Sequence, residues 1–281
     1  MDDATEIMRI DIDAVLRSRL GSRARWIPRW LTRRLERIIC QDELNDLLLS
    51  NAGATGGEFC RGVLDDLDVR AEFRGEENLP KDDSRIVVVS NHPLGGLDGM
   101  IYIDYFTCRY APLKPKFVVN DLLMAVKPLQ DVFLPVNKHG SQSRERIRNI
   151  DEAFAGNDPI IVFPAGLCSR RSGFGKPVRD LEWHKMFVKK SIEHGRTVIP
   201  AYFKGENSSF FYNFAHLRRC SGLKFNIEMI YLPREVVRSS GKRFTVTFGK
   251  PVADSMLSSA DSETVAARIK ETVYSLADAN K

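Results

Sequence analysis

Residues 86 to 99 run Ile86-Val87-Val88-Val89-Ser90-Asn91-His92-Pro93-Leu94-Gly95-Gly96-Leu97-Asp98-Gly99, and no other stretch constrains the fold as much. Four β-prone apolar residues in succession predict a buried strand. Asn-His-Pro and a glycine pair then break it, because these are turn formers. Asp98 opens an apolar, helix-like segment from Gly99 to Tyr110. A histidine therefore stands at the carboxyl end of a strand, with a carboxylate six residues on at the start of a helix. In open α/β sheets that rim is where ligands bind. A histidine held by a nearby acid is a ready general base, since the acid sets its tautomer and stabilises the imidazolium.

The alternation continues along the chain. Strands are expected at Ile86–Val89, Lys116–Val119, Phe133–Val136, Ile160–Phe163, Thr197–Phe203, Ile227–Leu232 and Phe244–Phe248. Helices are expected at Gly99–Tyr110, Leu122–Val126, Ser143–Ala155, Leu181–His194, Phe210–Arg219 and Asp261–Ala277. This is the pattern of an α/β fold, with a mostly parallel or mixed central sheet flanked by helices. Before it, helical spacing predicts helices at Thr5–Leu20, Arg29–Cys40, Asp42–Leu49 and Glu58–Leu67. The polar, turn-rich run Glu77–Ser84 suggests a boundary, with an N-terminal helical segment over 1–80 and an α/β domain over 81–281. The length, 281 residues, suffices for that arrangement, and 43% hydrophobic with 28% charged residues excludes wholesale disorder.

Net charge is only +5, but the excess is local. Between Arg17 and Arg37 stand eight arginines against one acid, Glu36, with Trp26, Ile27, Trp30 and Leu31 interleaved. Such a segment suits an anionic bilayer surface, with indoles at headgroup level and guanidiniums on lipid charge; Arg25, Trp26, Arg29 and Trp30 are the expected contacts. It would also serve as a surface helix docked on the domain with its arginines in water. No nucleic-acid module accompanies the basic run, so nucleic acid is not expected as a partner. No apolar run approaches the roughly 18 residues of a membrane span. No secretory signal is visible, and the five cysteines form no CxxC pair. Neither a zinc site nor a disulfide framework is indicated, which fits a reduced, intracellular setting.

Two further strands end in unusual loops. Ile160-Ile161-Val162-Phe163 runs into Pro164-Ala165-Gly166-Leu167-Cys168-Ser169-Arg170-Arg171, then through a glycine-flexed stretch to Lys176 and Arg179. Parallel strands would open this loop on the rim of His92, where its cations could hold a phosphate or carboxylate or remain solvated. Phe133-Leu134-Pro135-Val136-Asn137-Lys138 ends another strand with a cation.

These residues resemble the phospholipid/glycerol acyltransferase superfamily, which contains the 1-acylglycerol-3-phosphate acyltransferases. Asn91-His92 and Asp98 are similar to its H-x4-D block, and Pro135-Val136-Asn137-Lys138 to its Pro-Val-Asp-Arg-like turn. Phe163-Pro164-Ala165-Gly166-Leu167-Cys168-Ser169 resembles its Phe-Pro-Glu-Gly-Thr-Arg-Ser block, and Val198-Ile199-Pro200 its fourth. The spacing here is one residue longer, H-x5-D, which Gly95-Gly96 could absorb as a bulged turn. Ala165 replaces the family glutamate and Cys168 its arginine, leaving Arg170 or Arg171 as substitute cations. The form His-Pro-Leu-Gly-Gly-Leu-Asp with Phe-Pro-Ala-Gly-Leu resembles a bacterial hemolysin-like subgroup associated with O-acylation of lyso-amino-acid lipids.

The resemblance implies transfer of a fatty acyl group from a thioester, on acyl carrier protein or coenzyme A, to a lyso-lipid hydroxyl. His92 would be the base and Asp98 its support, with no cofactor and no metal. Asn91, Gly95, Gly96, Lys138, Phe163, Pro164, Ala165, Gly166, Ser169, Arg170 and Arg171 would line the substrates. The protein would lie peripherally on the cytoplasmic face of the inner membrane. Backbone N–H groups near Gly95-Gly96 or the start of the next helix could meet the oxyanion. Two alternatives stand beside this reading: a Cys168 nucleophile with His92 as base, and a non-catalytic lipid-binding or scaffold protein of the same fold. His139, His184, His194 and His216 stand on helices or loops and are expected to be structural.

Overall fold

A computed structural model describes residues 8–81, 85–136, 144–223, 225–258 and 260–277. The chain begins with helices α1 (Ile12–Leu20), α2 (Arg29–Ile39), α3 (Gln41–Ser50) and α4 (Gly56–Asp66). Then follow β1 (Arg70–Arg74), β2 (Ile86–Ser90), α5 (Leu97–Arg109), β3 (Lys116–Asn120), β4 (Phe133–Val136), α6 (Arg144–Ala155) and β5 (Ile160–Val162). A two-stranded ribbon, β6 (Arg170–Arg171) with β7 (Val178–Arg179), precedes α7 (Met186–His194) and β8 (Thr197–Lys204). The chain closes with α8 (Ser209–Cys220), α9 (Leu232–Val237), β9 (Arg243–Phe248) and α10 (Ser262–Ser275).

Seven strands make one mixed sheet in the order β1-β9-β8-β2-β5-β3-β4. All neighbours are parallel except β8 and β9, so β9 and its parallel neighbour β1 run against the other five. β2 lies between β5 and β8, with Val89 level with Val162 and Pro200. This register brings the carboxyl ends of three strands, and the loops they feed, to one place on the rim.

β2 is buried on both faces, as its unbroken apolar run requires. Ile86 and Val88 pack toward α4 and α5, among Phe59, Leu97 and Phe106. Val87 and Val89 face the other way, among Phe154, Phe187 and Ile269 of α6, α7 and α10. Side chains alternate across a strand, so one run of valines feeds two cores. The first core draws on α4 and β1 as well as on residues after 85, so sheet and core take in both sides of the turn-rich stretch near residue 80.

Four elements differ from expectation, one being the helix expected at Leu181–His194, which begins only at Met186. β1, Arg-Ala-Glu-Phe-Arg, carries no apolar run; it is an edge strand whose charges face solvent, while Phe73 stacks on Tyr105 at 4.0 Å. Ile227–Leu232 is not a strand. It forms a 3₁₀ turn, Ile227–Tyr231, running into α9 with a proline in its first turn, because Glu228 is buried there and turns Ile227 and Ile230 outward. Leu122–Val126 is likewise a 3₁₀ turn, at Asp121–Ala125. Of the Thr5–Leu20 helix, Ile12–Leu20 is helical with Asp11 as N-cap, and residues 1–7 lie outside the described residues. Among the described residues no helix is long and apolar enough to cross a membrane.

Candidate active site

The turn after β2 reverses the chain within six residues and delivers Asp98 beneath His92. The carboxylate has no exposed surface, and its Oδ2 lies 3.0 Å from Nδ1 of His92. Oδ2 also accepts the amide of Leu94 at 2.9 Å, and Oδ1 accepts those of Gly96 at 3.1 Å and Gly99 at 3.0 Å. Burial alone would raise this carboxyl. The charge and hydrogen bond of His92, with the amides of Leu94 and Gly99, outweigh it and hold the pKa below the usual value. Asp98 is thus an anion facing Nδ1, which favours a proton on that nitrogen and, in the neutral ring, leaves the lone pair on Nε2.

The turn between His92 and Asp98 contains the glycine pair. Gly95 adopts φ +77°, in the left-handed region, and a Cβ there would come within 2.9 Å of the Leu232 side chain and 3.1 Å of the Cys168 Cβ. Gly96, with φ −176°, is ordinary extended backbone. The amides of Leu94 and Gly96 are already given to Asp98, which removes them as oxyanion donors and corrects the expectation for that part of the turn.

The loop after β5 supports the histidine from its other side. The Phe163 ring stacks on the imidazole with centroids 3.9 Å apart. The Ser169 amide donates to the His92 carbonyl at 2.7 Å. Gly166, at φ +60°, turns the loop, closed by its amide on the Phe163 carbonyl at 2.9 Å. The Pro164 carbonyl accepts the His184 amide, and Ala165 is buried in the second core.

Asp180 escaped the sequence reading. It is buried, and its Oδ1 accepts the Ser169 hydroxyl at 2.5 Å and the His92 amide at 3.2 Å, while Oδ2 accepts the Trp183 indole at 2.8 Å. Burial pushes its pKa up, only partly countered by Ser169, Trp183 and His92. The backbone of His92 is thereby held at both its N–H and its C=O. No local signal marks Asp180; an acid three residues before a tryptophan is unremarkable until the ribbon folds back.

Other expected site residues have different tasks. The Asn91 side chain exchanges two bonds with the backbone of Phe203, at 2.9 and 2.7 Å, and so pins the end of β2 to β8. Arg170 is no open anion fork: it is buried, donates to the Cys168 carbonyl at 2.8 Å and pairs with Glu228 at 3.0 Å. Arg171 pairs with Glu206 at 2.9 Å and Arg179 with Glu271 at 2.8 Å. Only Arg170 is closed off by burial and a buried acid; Arg171 and Arg179 meet exposed glutamates at the surface. Lys138, with Asn137 and His139, lies outside the described residues.

A third loop, after β8, braces the turn. The Asn207 side chain donates to the carbonyls of Pro93 and Leu94 at 3.2 and 3.3 Å, and the Tyr212 hydroxyl donates to Pro93 at 3.2 Å. Cys168 is fully buried, and burial pushes its thiol up to about 11 despite the pull of Arg170. A buried thiol held neutral is a poor nucleophile. The expected lipid contacts Arg25, Trp26, Arg29 and Trp30 are all exposed, the two indoles at 76% and 65%. Among the described residues, the one acid–histidine cluster with metal-like spacing, Asp151, Glu193 and His194, holds the Lys190 ammonium among its carboxylates.

A family model described as Acyltransferase matches residues 14–279. A lyso-glycine lipid O-acyltransferase from Phocaeicola vulgatus is 43% identical over 246 residues, which is 88% of this chain and 87% of that one. Another, from Bacteroides thetaiotaomicron, is 42% identical over 243 residues, 86% of this chain and 88% of that one. Among solved structures, the 1-acyl-sn-glycerophosphate (LPA) acyltransferase PlsC from Thermotoga maritima covers 92% of this chain and 84% of its own, with a TM-score of 0.45 and 16% identity. That likeness is too slight to draw on.

Proposed function

The chain belongs to the acyltransferase family, and from that premise we propose that it moves a fatty acyl group from acyl carrier protein or coenzyme A to the hydroxyl of a lyso-amino-acid lipid, with a lyso-glycine lipid as first candidate. The observation that carries the chemistry is the 3.0 Å contact between Nδ1 of His92 and an ionised, four-bonded Asp98. With Nδ1 protonated, Nε2 takes the proton of the acceptor hydroxyl as its oxygen attacks the thioester carbonyl. Asp98 offsets the charge that develops on the ring. The tetrahedral intermediate collapses, the C–S bond breaks, and the thiolate recovers the proton from Nε2. An ester and a free thiol result, with no metal, cofactor or covalent enzyme intermediate required.

The acceptor class rests on two supports: both curated relatives are named for lyso-glycine lipids, and Arg170, the buried arginine of the loop after β5, is paired with Glu228 rather than open to a phosphate. The reaction would take place at the cytoplasmic face of the inner membrane, with the start of α2 and the turn before it on the lipid surface through Arg25, Trp26, Arg29 and Trp30.

Purified protein, given acyl carrier protein or coenzyme A thioesters and a panel of lyso-glycine lipid, lyso-ornithine lipid and lysophosphatidate, tests this directly. Turnover should be fastest on an amino-acid lipid and fall by on the order of 10²–10⁴ in His92→Ala. Preference for lysophosphatidate would overturn the acceptor. Turnover on no acceptor, or an undiminished His92→Ala enzyme, would overturn acyl transfer by His92.

A further inference from the structure

The segment after α8 is built inside out. Leu217 is 61% exposed, Leu223 53% and Phe225 84%. Glu228, a few residues on, has no exposed surface and lies 3.0 Å from guanidinium nitrogens of both Arg170 and Arg218. The polar anchor points inward and the large apolar side chains point out, the reverse of what a solvated loop requires. An aromatic cluster joins α8 to the turn that follows this loop. Phe210 and Phe214 stack at 5.8 Å, and both meet Tyr231 edge-on at 5.0 and 5.6 Å. The turn Ile227–Tyr231 packs against α2, so this face adjoins the helix that displays Trp30.

Charge says what covers it. From Ser208 to Ile227 the chain has no aspartate or glutamate and, besides the Arg218 that Glu228 takes up, it has Arg219 and Lys224; from Arg17 to Leu35 it has seven arginines and again no acid. Two acid-free, basic segments with protruding apolar side chains thus lie together. A second copy of this chain would bring like charge against like charge, which disfavours a two-fold contact. An anionic lipid surface matches both the charge and the protruding side chains.

We infer that the loop after α8 is a second membrane-entry element, with Leu223 and Phe225 entering the acyl boundary of an anionic bilayer beside α2. This rests on the membrane-surface part of the proposed function. Arg170 fastens the entry loop to the site: it binds Glu228 on one side and follows Ser169, whose amide holds the His92 carbonyl, on the other. A lyso-lipid would thus leave the bilayer next to the loop that carries the site.

The test uses the full chain with vesicles of phosphatidylglycerol and phosphatidylcholine, read by co-sedimentation. Leu223→Ser/Phe225→Ser and Trp26→Ala/Trp30→Ala should each lose at least about tenfold in partitioning, with unchanged thermal melting. Phe225→Trp should be quenched by brominated lipid. Unchanged binding of Leu223→Ser/Phe225→Ser, with weakened binding of the tryptophan variant, overturns the inference and leaves α2 as the membrane contact. The opposite result supports the loop and overturns α2. Equal binding to pure phosphatidylcholine overturns the electrostatic part. Failure of the wild type to bind any vesicle overturns both readings, while activity on dispersed lyso-lipid would still report on His92. Self-association abolished by Leu223→Ser/Phe225→Ser, with vesicle binding intact, assigns the face to a second copy and overturns the lipid assignment.

Discussion

The turn after β2 brings its own carboxylate: Asp98 follows His92 by six residues and takes its ring nitrogen at 3.0 Å. The loop after β5 brings none. Ala165 and Cys168 are both buried there, and the acid that completes the loop, Asp180, arrives eleven residues beyond Ser169 by way of the β6–β7 ribbon. Both carboxylates are buried and both touch His92, yet their pKa values move in opposite directions. Burial raises each; at Asp98 the direct contact with the imidazole and the backbone amides outweigh it, whereas at Asp180 the hydroxyl, indole and amide donors, with a lesser pull from the His92 charge, do not. One acid is built to stay charged beside a ring that gains charge. The other holds backbone and loop in place. The comparison teaches that the contacts, not the residue type or the depth, decide which carboxylate supports chemistry.

Four substitutions sharpen or break that contrast, taken from the largest effect to the smallest. Asp98→Asn should lower kcat by about 10²-fold or more, since an amide cannot offset the imidazolium or enforce the Nδ1–H tautomer. It should also remove an acid limb of stability. With the folded pKa below the unfolded value of about 3.9, the Asp98 contribution is full above that value and lost as pH falls through the folded one. Chemical denaturation at pH 2.5 to 5 would show the wild type gaining stability with pH more steeply than the variant. Parallel curves would mean Asp98 is not the charged partner.

Asp180→Asn should lower kcat about tenfold with little change in KM, because it loosens the His92 backbone rather than removing a proton acceptor. Its stability trace runs the other way. A raised carboxyl binds protons more tightly in the folded state, so wild-type stability falls as pH climbs from about 3.9 to the folded value, and the variant loses that fall. A kcat loss matching that of Asp98→Asn would erase the distinction between the two acids.

Gly95→Ala combines a left-handed backbone with a Cβ 2.9 Å from Leu232. It should cost about 1–2 kcal/mol in thermal or denaturant unfolding. An unchanged melting curve would show that the turn can be rebuilt without glycine. Cys168→Ser should have the smallest effect: most of the activity retained, about 1 kcal/mol of stability lost, and no acyl adduct on the wild-type thiol by mass spectrometry. An adduct on Cys168 would revive the nucleophile reading.

The sheet was legible because its strands are local apolar runs. Ile86–Val89, Phe133–Val136 and Thr197–Phe203 announce themselves by composition, and the helices between them by spacing. β1 was not, since an edge strand defended by Arg70, Glu72 and Arg74 lacks the apolar signal. Ile227–Leu232 misled for the converse reason: its isoleucines look like a strand and are in fact turned outward by the burial of Glu228. At the site, the local pair His92 and Asp98 was readable, and so was the turn between them, where Gly95 takes left-handed backbone. Asn91 and Arg170 were read as substrate contacts because residue type signals binding capacity, whereas occupancy is set by Phe203 and Glu228, residues distant in sequence.

What the sequence determined by itself is everything that depends on neighbours along the chain: a buried strand, a tight glycine turn, and an acid within reach of a histidine on the far side of it. Tertiary structure alone decided which polar groups remain available. Asp180 reaches the His92 amide, Arg170 is claimed by Glu228, and Asn207 props the turn, each across a long stretch of chain. The physical reason is that a buried polar group must find a partner wherever the packed chain brings one, and linear order does not record that meeting.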